Sequence, residues 1–210
     1  MRLNVPIDHY RTQAQAYFDT THAVDMSALY QRFLPHVPKG GSILDAGCGS
    51  GRDALAFTRM GFEVEAFDAS PELAALACAH TGLNVQVMRF EQVAWEAHFD
   101  GIWACASLLH VPAAEQALCL SRLVQALKPG GVLYASYKLG ADETVDAHGR
   151  PFTHATVERV THWLHAAPLS RVLQLWQSTD QRPGVTQAWL NVLIQRSPAH
   201  DHPSGSPSGH

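Results

Sequence analysis

Short apolar runs and longer stretches of helical spacing take turns along most of this chain. Ile43 and Leu44 suit a buried strand, and glycines follow at positions 47, 49 and 51. Residues 53–57, Asp-Ala-Leu-Ala-Phe, open a helix, and residues 62–68, Phe-Glu-Val-Glu-Ala-Phe-Asp, read as a second strand ending on a carboxylate. Ser70 as N-cap and Pro71 at the first position start a helix that runs to about His80, where Gly82 stops it. Asn84 to Phe90 gives a third strand, in which Val85 and Val87 flank polar Gln86, and Phe99 to Ala106 gives a fourth. A long helix from Pro112 or Ala113 to about Leu127 is closed by Lys128-Pro129-Gly130-Gly131, and residues 132–137 form a fifth strand. Strict strand–helix alternation predicts a parallel sheet with helices on both faces.

The two flanks depart from that alternation. Tyr10, Ala14, Tyr17, Phe18 and Thr21 share one helical face within residues 8–34. A break near residues 20–22 precedes Asp25, a good N-cap for a second helix over residues 26–34, which Pro35, Pro38, Gly40 and Gly41 end. Beyond the fifth strand, residues 139–153 are polar and read as a long loop, and Ala155 to Ala166 as a helix. Arg171 to Ser178 and Ala188 to Arg196 read as strands; residues 179–187 are too few for a helical crossover, so the pair should be antiparallel. The tail after Arg196 is Pro, Ser, Gly and His with almost no apolar content, so disorder is expected there. The chain thus divides into N-terminal helices (1–40), one α/β domain (41–197) and a tail (198–210).

Composition narrows the partners. With 15 Lys plus Arg against 19 Asp plus Glu, the net charge is −4, which argues against a nucleic-acid partner. Neither a charged, apolar leader nor a run of membrane-spanning length is visible, so a cytoplasmic protein is expected. Cys48, Cys78, Cys105 and Cys119 form no Cys-x-x-Cys pair and read as reduced packing residues. The 13 histidines are scattered; His162 and His165 fit an ordinary amphipathic helix, and no metal is expected.

The glycine spacing decides which nucleotide fits. A dinucleotide fingerprint needs a third glycine three places after the second, and that place holds Arg52, too large for close helix–strand packing. The Gly-x-Gly-x-Gly at 47, 49 and 51, with Asp45 before it and Asp68 after it, resembles the first motif of class I S-adenosylmethionine (SAM)-dependent methyltransferases. With Arg52-Asp53 following, it is most similar to the small bacterial tellurite- and thiopurine-resistance type, and Lys128-Pro129-Gly130-Gly131 is a further hallmark. The resemblance covers about residues 40–196. It implies a Rossmann-like, doubly wound, seven-stranded, mostly parallel sheet with an antiparallel last strand. It also implies SAM as donor and S-adenosylhomocysteine as product.

By that resemblance Gly47, Cys48, Gly49, Gly51 and Arg52 hold the methionine arm, and Asp68 with Ala69 the ribose. Asp45 either reaches the ligand ammonium or braces the loop. Many relatives carry Gly-Asp at the adenine position; here Phe90 and Glu91 stand, as a ring face and an amine acceptor or as plain packing. Cys105 and Ala106 end the fourth strand, facing the methyl group. His110 is a candidate general base or a histidine shaping the pocket floor. Tyr10 and Tyr17 are candidates for a lid over the pocket, Tyr17 also for a catalytic role. Lys138, Arg150 and Arg182 at the rim would suit an anionic small acceptor, or are solvated surface charge. The Asn/Asp-Pro-Pro-Tyr/Phe run of many nucleic-acid base methyltransferases is missing. Methyl transfer to a small molecule is therefore the expected function. Methylation of RNA or protein and a non-catalytic SAM-binding module are the alternatives. Neither the acceptor atom nor the oligomeric state is written in the sequence.

Overall fold

The computed structural model describes residues 5–145, 151–165, 167, 170–180 and 184–198, with residues 5–12 given by backbone course alone. Two helices come first, α1 (Val5–Thr21) and α2 (Ser27–Phe33). The alternating part runs β1 (Ser42–Ala46), α3 (Arg52–Arg59), β2 (Glu63–Asp68), α4 (Pro71–Thr81), β3 (Val85–Val87), β4 (Phe99–Ala104), α5 (Ala113–Ala126) and β5 (Leu127–Lys138). A small hairpin, β6 (Glu143–Val145) and β7 (Pro151–Thr153), precedes α6 (Val157–Leu164), and β8 (Ser170–Thr179) and β9 (Ala188–Arg196) close the fold.

The seven-stranded sheet has the order β3-β2-β1-β4-β5-β9-β8. Strands β1 to β5 pair in parallel, and β9 runs antiparallel to both β5 and β8. The Rossmann-like, mostly parallel sheet implied by the motif is therefore present. Strand order reverses between β1 and β4, and α/β folds open their clefts at such a reversal, beyond the carboxyl ends of the strands. The central strands are buried on both faces, which is why they read as continuous apolar runs. Ile43 packs with Phe33, Phe57, Trp103 and Tyr134 on one face. Leu44 packs with Ile102, Leu133, Leu120 and Leu123 on the other.

Several expected boundaries move, each for a local reason. Asp25 is not the N-cap: Met26 holds that place, and the Asp25 Oδ1 accepts from the Ser27 N–H at 2.8 Å just ahead of the helix. Helix α2 joins the core, since Tyr30 and Phe33 are buried against Phe57 and Trp103. Strand β3 stops at Val87, because the Arg89 N–H turns to the Gln92 side chain (2.8 Å) and residues 90–92 make a 3-10 turn. Strand β4 stops at Ala104, ahead of Ala106 at φ +50°. The expected turn at Lys128–Gly131 sits inside strand pairing as a bulge: Phe99 faces Leu127, but Gly101 faces Val132. Residues 139–153 are not a plain loop. They carry the β6–β7 hairpin, whose three-residue strands are too short to show alternation in the sequence. Side chains fix it: Glu143 Oε1 accepts from the Ala113 N–H (2.9 Å) and the Thr153 hydroxyl (3.2 Å). Residues 199–210 of the expected disordered tail lie outside the described residues. Among the described residues no helix is long and apolar enough to cross a membrane.

Candidate active site

Between β1 and α3 the chain must turn sharply, and three glycines at positive φ do it: Gly47 (+75°), Gly49 (+55°) and Gly51 (+74°). The Gly47 and Cys48 N–H groups both donate to the Phe67 carbonyl at 2.9 Å, tying the loop to the end of β2. A Cβ on Gly47 would stand 2.6 Å from the Ser107 Cβ, and one on Gly49 would stand 3.1 Å from the Tyr17 ring. The loop is thus pressed by the β4 exit on one side and by α1 on the other.

Two clefts flank it. The narrow one has apolar walls of Phe67, Leu73, Met88 and Phe90, and ends at Asp68 and Ala69, with Glu91 at its side. The broad one lies between α1, β5, β7 and β9 and is faced by Arg52, Cys105, Lys138, Phe152, Asp180 and Trp189. Both are bordered by the same four residues, Tyr17, Gly47, Ala106 and His110, so they meet there.

The acids at the loop do different work. Asp68 accepts from the Gly49 N–H through Oδ2 and from the Ser70 N–H through Oδ1, each at 2.9 Å. Burial holds its pKa above the ordinary aspartate value despite those bonds. The carboxylate lies at the end of the narrow cleft. Asp45 borders neither cleft; its Oδ2 accepts from the Ala54 N–H at 2.9 Å, inside the first turn of α3. Burial, then the negative charge of Asp53, push the Asp45 carboxyl well up. Its contacts are those of a loop brace.

Asp53 is a residue whose role sequence reasoning missed. Arg52 donates to it through two nitrogens at 2.7 Å, Trp103 donates its indole N–H at 2.8 Å, and the Tyr30 hydroxyl donates as well. Burial acts to raise its pKa, but the Arg52 charge and these donors outweigh it and hold the carboxyl below the ordinary value. The Arg-Asp pair after the third glycine was the available signal. Arg52, Cys48 and Cys105 face the broad cleft rather than the narrow one. Burial pushes the Cys105 thiol up to about 12, and the Cys48 thiol well up too, so both stay protonated.

Phe90 packs edge-on to Phe67 (5.3 Å, 77°) as part of the narrow cleft's wall, and Glu91 beside it pairs with Arg89 at 3.0 Å. His110 sits on a 3-10 turn, Leu108–His110. Its Nδ1 lies 3.1 Å from the Pro151 carbonyl and its ring 4.9 Å from Phe152. A carbonyl only accepts, so Nδ1 carries a proton. The Lys138 ammonium stands 3.4 Å over the Phe152 ring centre. The Tyr10 side chain, Arg150 and Arg182 lie outside the described residues. Phe152, Asp180 and Trp189 carried no signal in the sequence; the Trp189 indole donates to Asp180 Oδ2 at 3.2 Å. Among the described residues no three His, Cys, Asp or Glu side chains are grouped as metal ligands would be.

Similar proteins share the family and the fold. A methyltransferase-domain family matches residues 15–182. A ubiquinone biosynthesis O-methyltransferase of Xanthomonas axonopodis pv. citri (strain 306) is 35% identical over 106 residues, 47% of this chain and 44% of that protein. The match therefore spans less than half the length of this curated relative. Among solved structures, the Burkholderia thailandensis 1,6-didemethyltoxoflavin-N1-methyltransferase, with bound 1,6-didemethyltoxoflavin and S-adenosylhomocysteine, superposes with a TM-score of 0.71. It is 23% identical, and the likeness covers 94% of this chain and 92% of that one. A SAM-dependent methyltransferase from Anabaena variabilis gives a TM-score of 0.72 at 12% identity, over 93% and 96% of the two chains. With its family matched over most of its length and the fold shared, this chain belongs to the methyltransferase-domain family.

Proposed function

We propose that this protein is a cytoplasmic SAM-dependent methyltransferase whose acceptor is a small, planar molecule that reacts as an anion. The observation that carries the reading is the meeting of two clefts at Tyr17, Gly47, Ala106 and His110, since methyl transfer needs donor and acceptor in line across one point. The narrow cleft fits an adenosine: an apolar slot for a base, and at its end a buried carboxylate, Asp68, for ribose hydroxyls. Cys48, Arg52 and Cys105 on the near wall of the broad cleft would hold the methionine arm, with bare backbone at Gly47 letting it approach. SAM, when bound, supplies the electrophilic methyl group.

The rest of the broad cleft suits the acceptor. Phe152 and Trp189 offer aromatic faces, Lys138 places a positive charge beside Phe152, and His110 at the junction is the candidate base for an acceptor O–H or N–H. The 1,6-didemethyltoxoflavin-N1-methyltransferase and the ubiquinone biosynthesis O-methyltransferase to which the chain is similar support a small-molecule acceptor. Formation of S-adenosylhomocysteine across a panel of phenols, N-heterocycles and bulk RNA tests the reading. We expect turnover with a phenol or N-heterocycle and thermal stabilisation by S-adenosylhomocysteine but not NAD. Stabilisation by NAD alone, or turnover with RNA alone, would overturn it.

A further inference from the structure

The exit of β4 holds a backbone conformation that residues with a side chain seldom adopt: Ala106 stands at φ +50°. It is also one of the four residues at which the two clefts meet. Strain of this kind persists only where the surroundings impose it, and it gathers at functional sites. Two serines impose it here. The Ser136 Oγ, on β5, accepts from the Ala106 N–H at 2.8 Å. The Ser107 Oγ donates to the carbonyl of Ala46, the last residue of β1, at 2.7 Å, and the Ser107 Cβ fills the space that Gly47 leaves. The β4 exit is therefore tied to β5 on one side and β1 on the other.

We propose that Ser136 is a positioning residue for the transfer: its bond to the Ala106 amide holds residues 105–107 in the one conformation that aligns the acceptor with the donor at the junction. This rests on the methyl-transfer reading above. Ser136 is 3% exposed, faces the broad cleft, and is not needed to hold β5, whose ladder to β9 is made by the backbone. Were Ala106 to relax to an ordinary φ, its amide would leave Ser136 and carry Ser107 off Gly47. A shift near 1 Å at such a point costs about a hundredfold in rate.

Three variants test the clasp. Ser136→Ala should lower kcat about 10- to 100-fold, with the acceptor KM and the S-adenosylhomocysteine affinity within about threefold. Ser136→Thr, which keeps the hydroxyl, should recover most of that loss. Ala106→Gly removes the strain, so Tm should hold or rise while kcat falls. Amide exchange gives a readout that needs no donor or acceptor. The Ala106 amide should be protected in the wild type and exchange at least about tenfold faster in Ser136→Ala, with β4 and β5 amides unchanged. Rate and Tm falling together in all three variants, or a wild-type Ala106 amide as fast as an open loop, would overturn the proposal. A wild type that turns over no acceptor sinks the methyl-transfer reading instead, while the exchange arm still reads the clasp.

Discussion

The glycine loop and the broad cleft beside it are built by opposite means. The loop is mostly backbone: three residues at positive φ, amides docked on the Phe67 carbonyl, and one carboxylate holding two further amides. The broad cleft is mostly side chain, drawn from α1, α3, β5, β7 and β9. A backbone site tolerates almost no change in residue type, because what matters is where a Cβ is absent. A side-chain site can be refitted one residue at a time on an unchanged frame. That difference suits a fixed donor beside a variable acceptor.

The sharpest way to break the comparison is Gly47→Ala. The added Cβ meets Ser107 at 2.6 Å and sits on a backbone at φ +75°. Strain and overpacking together should cost roughly 2–5 kcal/mol of stability and abolish S-adenosylhomocysteine binding. Urea unfolding and calorimetry read both effects, and a stable variant that still binds would show the loop to be less constrained than its geometry says. Lys138→Met is the counterpart on the other side. It should leave fold and donor affinity alone and raise the KM of an anionic acceptor about tenfold, the size of one hydrogen bond to a charged group.

Asp68→Ala lies between these extremes. Loss of a charge-assisted bond to a ribose should weaken S-adenosylhomocysteine by about 1.5–3 kcal/mol, or roughly ten- to a hundredfold. From sequence alone the fold should not feel the change. The structure corrects that: the Gly49 and Ser70 amides would lose their acceptor, so a stability loss of about 1–3 kcal/mol should accompany it. Unchanged stability would mean that the loop stands without the carboxylate.

The same contrast explains what the sequence revealed. Gly-x-Gly-x-Gly and Asp68 lie within about one βαβ unit, and their placement follows from local geometry, so spacing was enough to locate the loop. Buried parallel strands and the Ser70–Pro71 and Gly82 caps were legible for the same reason. Phe152, Asp180 and Trp189 come together only because β7, β8 and β9 fold back beside β5, and no local pattern encodes that meeting. The hairpin was missed because a side chain, Glu143, rather than alternation, fixes its place. Asp45 shows a third limit. Its position before the loop was visible, but its burial beside Asp53 was not.

That burial gives a pH-dependent prediction. A carboxyl whose folded pKa lies above its unfolded one binds its proton more tightly when folded. Its contribution is thus present at low pH and lost as pH rises from the ordinary aspartate range through the raised value. Asp45→Asn keeps an oxygen for the Ala54 amide and removes the charge facing Asp53. It should raise Tm at pH 7, by about 2–4 °C for each kcal/mol gained, and the gain should vanish below about pH 4. A gain that persists in acid would assign the effect to packing.

The smallest expected effect concerns α1, which touches both sides of the comparison. Tyr17 presses on Gly49 and borders both clefts, so the helix roofs the backbone site and walls the side-chain site. Just beyond Tyr17 its C-terminal end is clasped to α4. Phe18 stacks on His22 at 4.9 Å, and His80 meets both rings edge-on, at 5.2 and 5.9 Å. A helix that lays Tyr17 across the glycine loop stands where a lid would, because closing over donor and acceptor would exclude water only during transfer. A purely structural helix would instead be as well protected empty as filled. Hydrogen exchange over residues 8–24, with and without S-adenosylhomocysteine, separates the two. We expect protection to rise with ligand, most around Tyr17. Equal, strong protection in both states would make α1 a fixed wall. With a rise seen, Tyr17→Ala should lower turnover by more than its loss of stability explains, since the ring that seals the junction would be gone while the Phe18–His22–His80 clasp still held the helix.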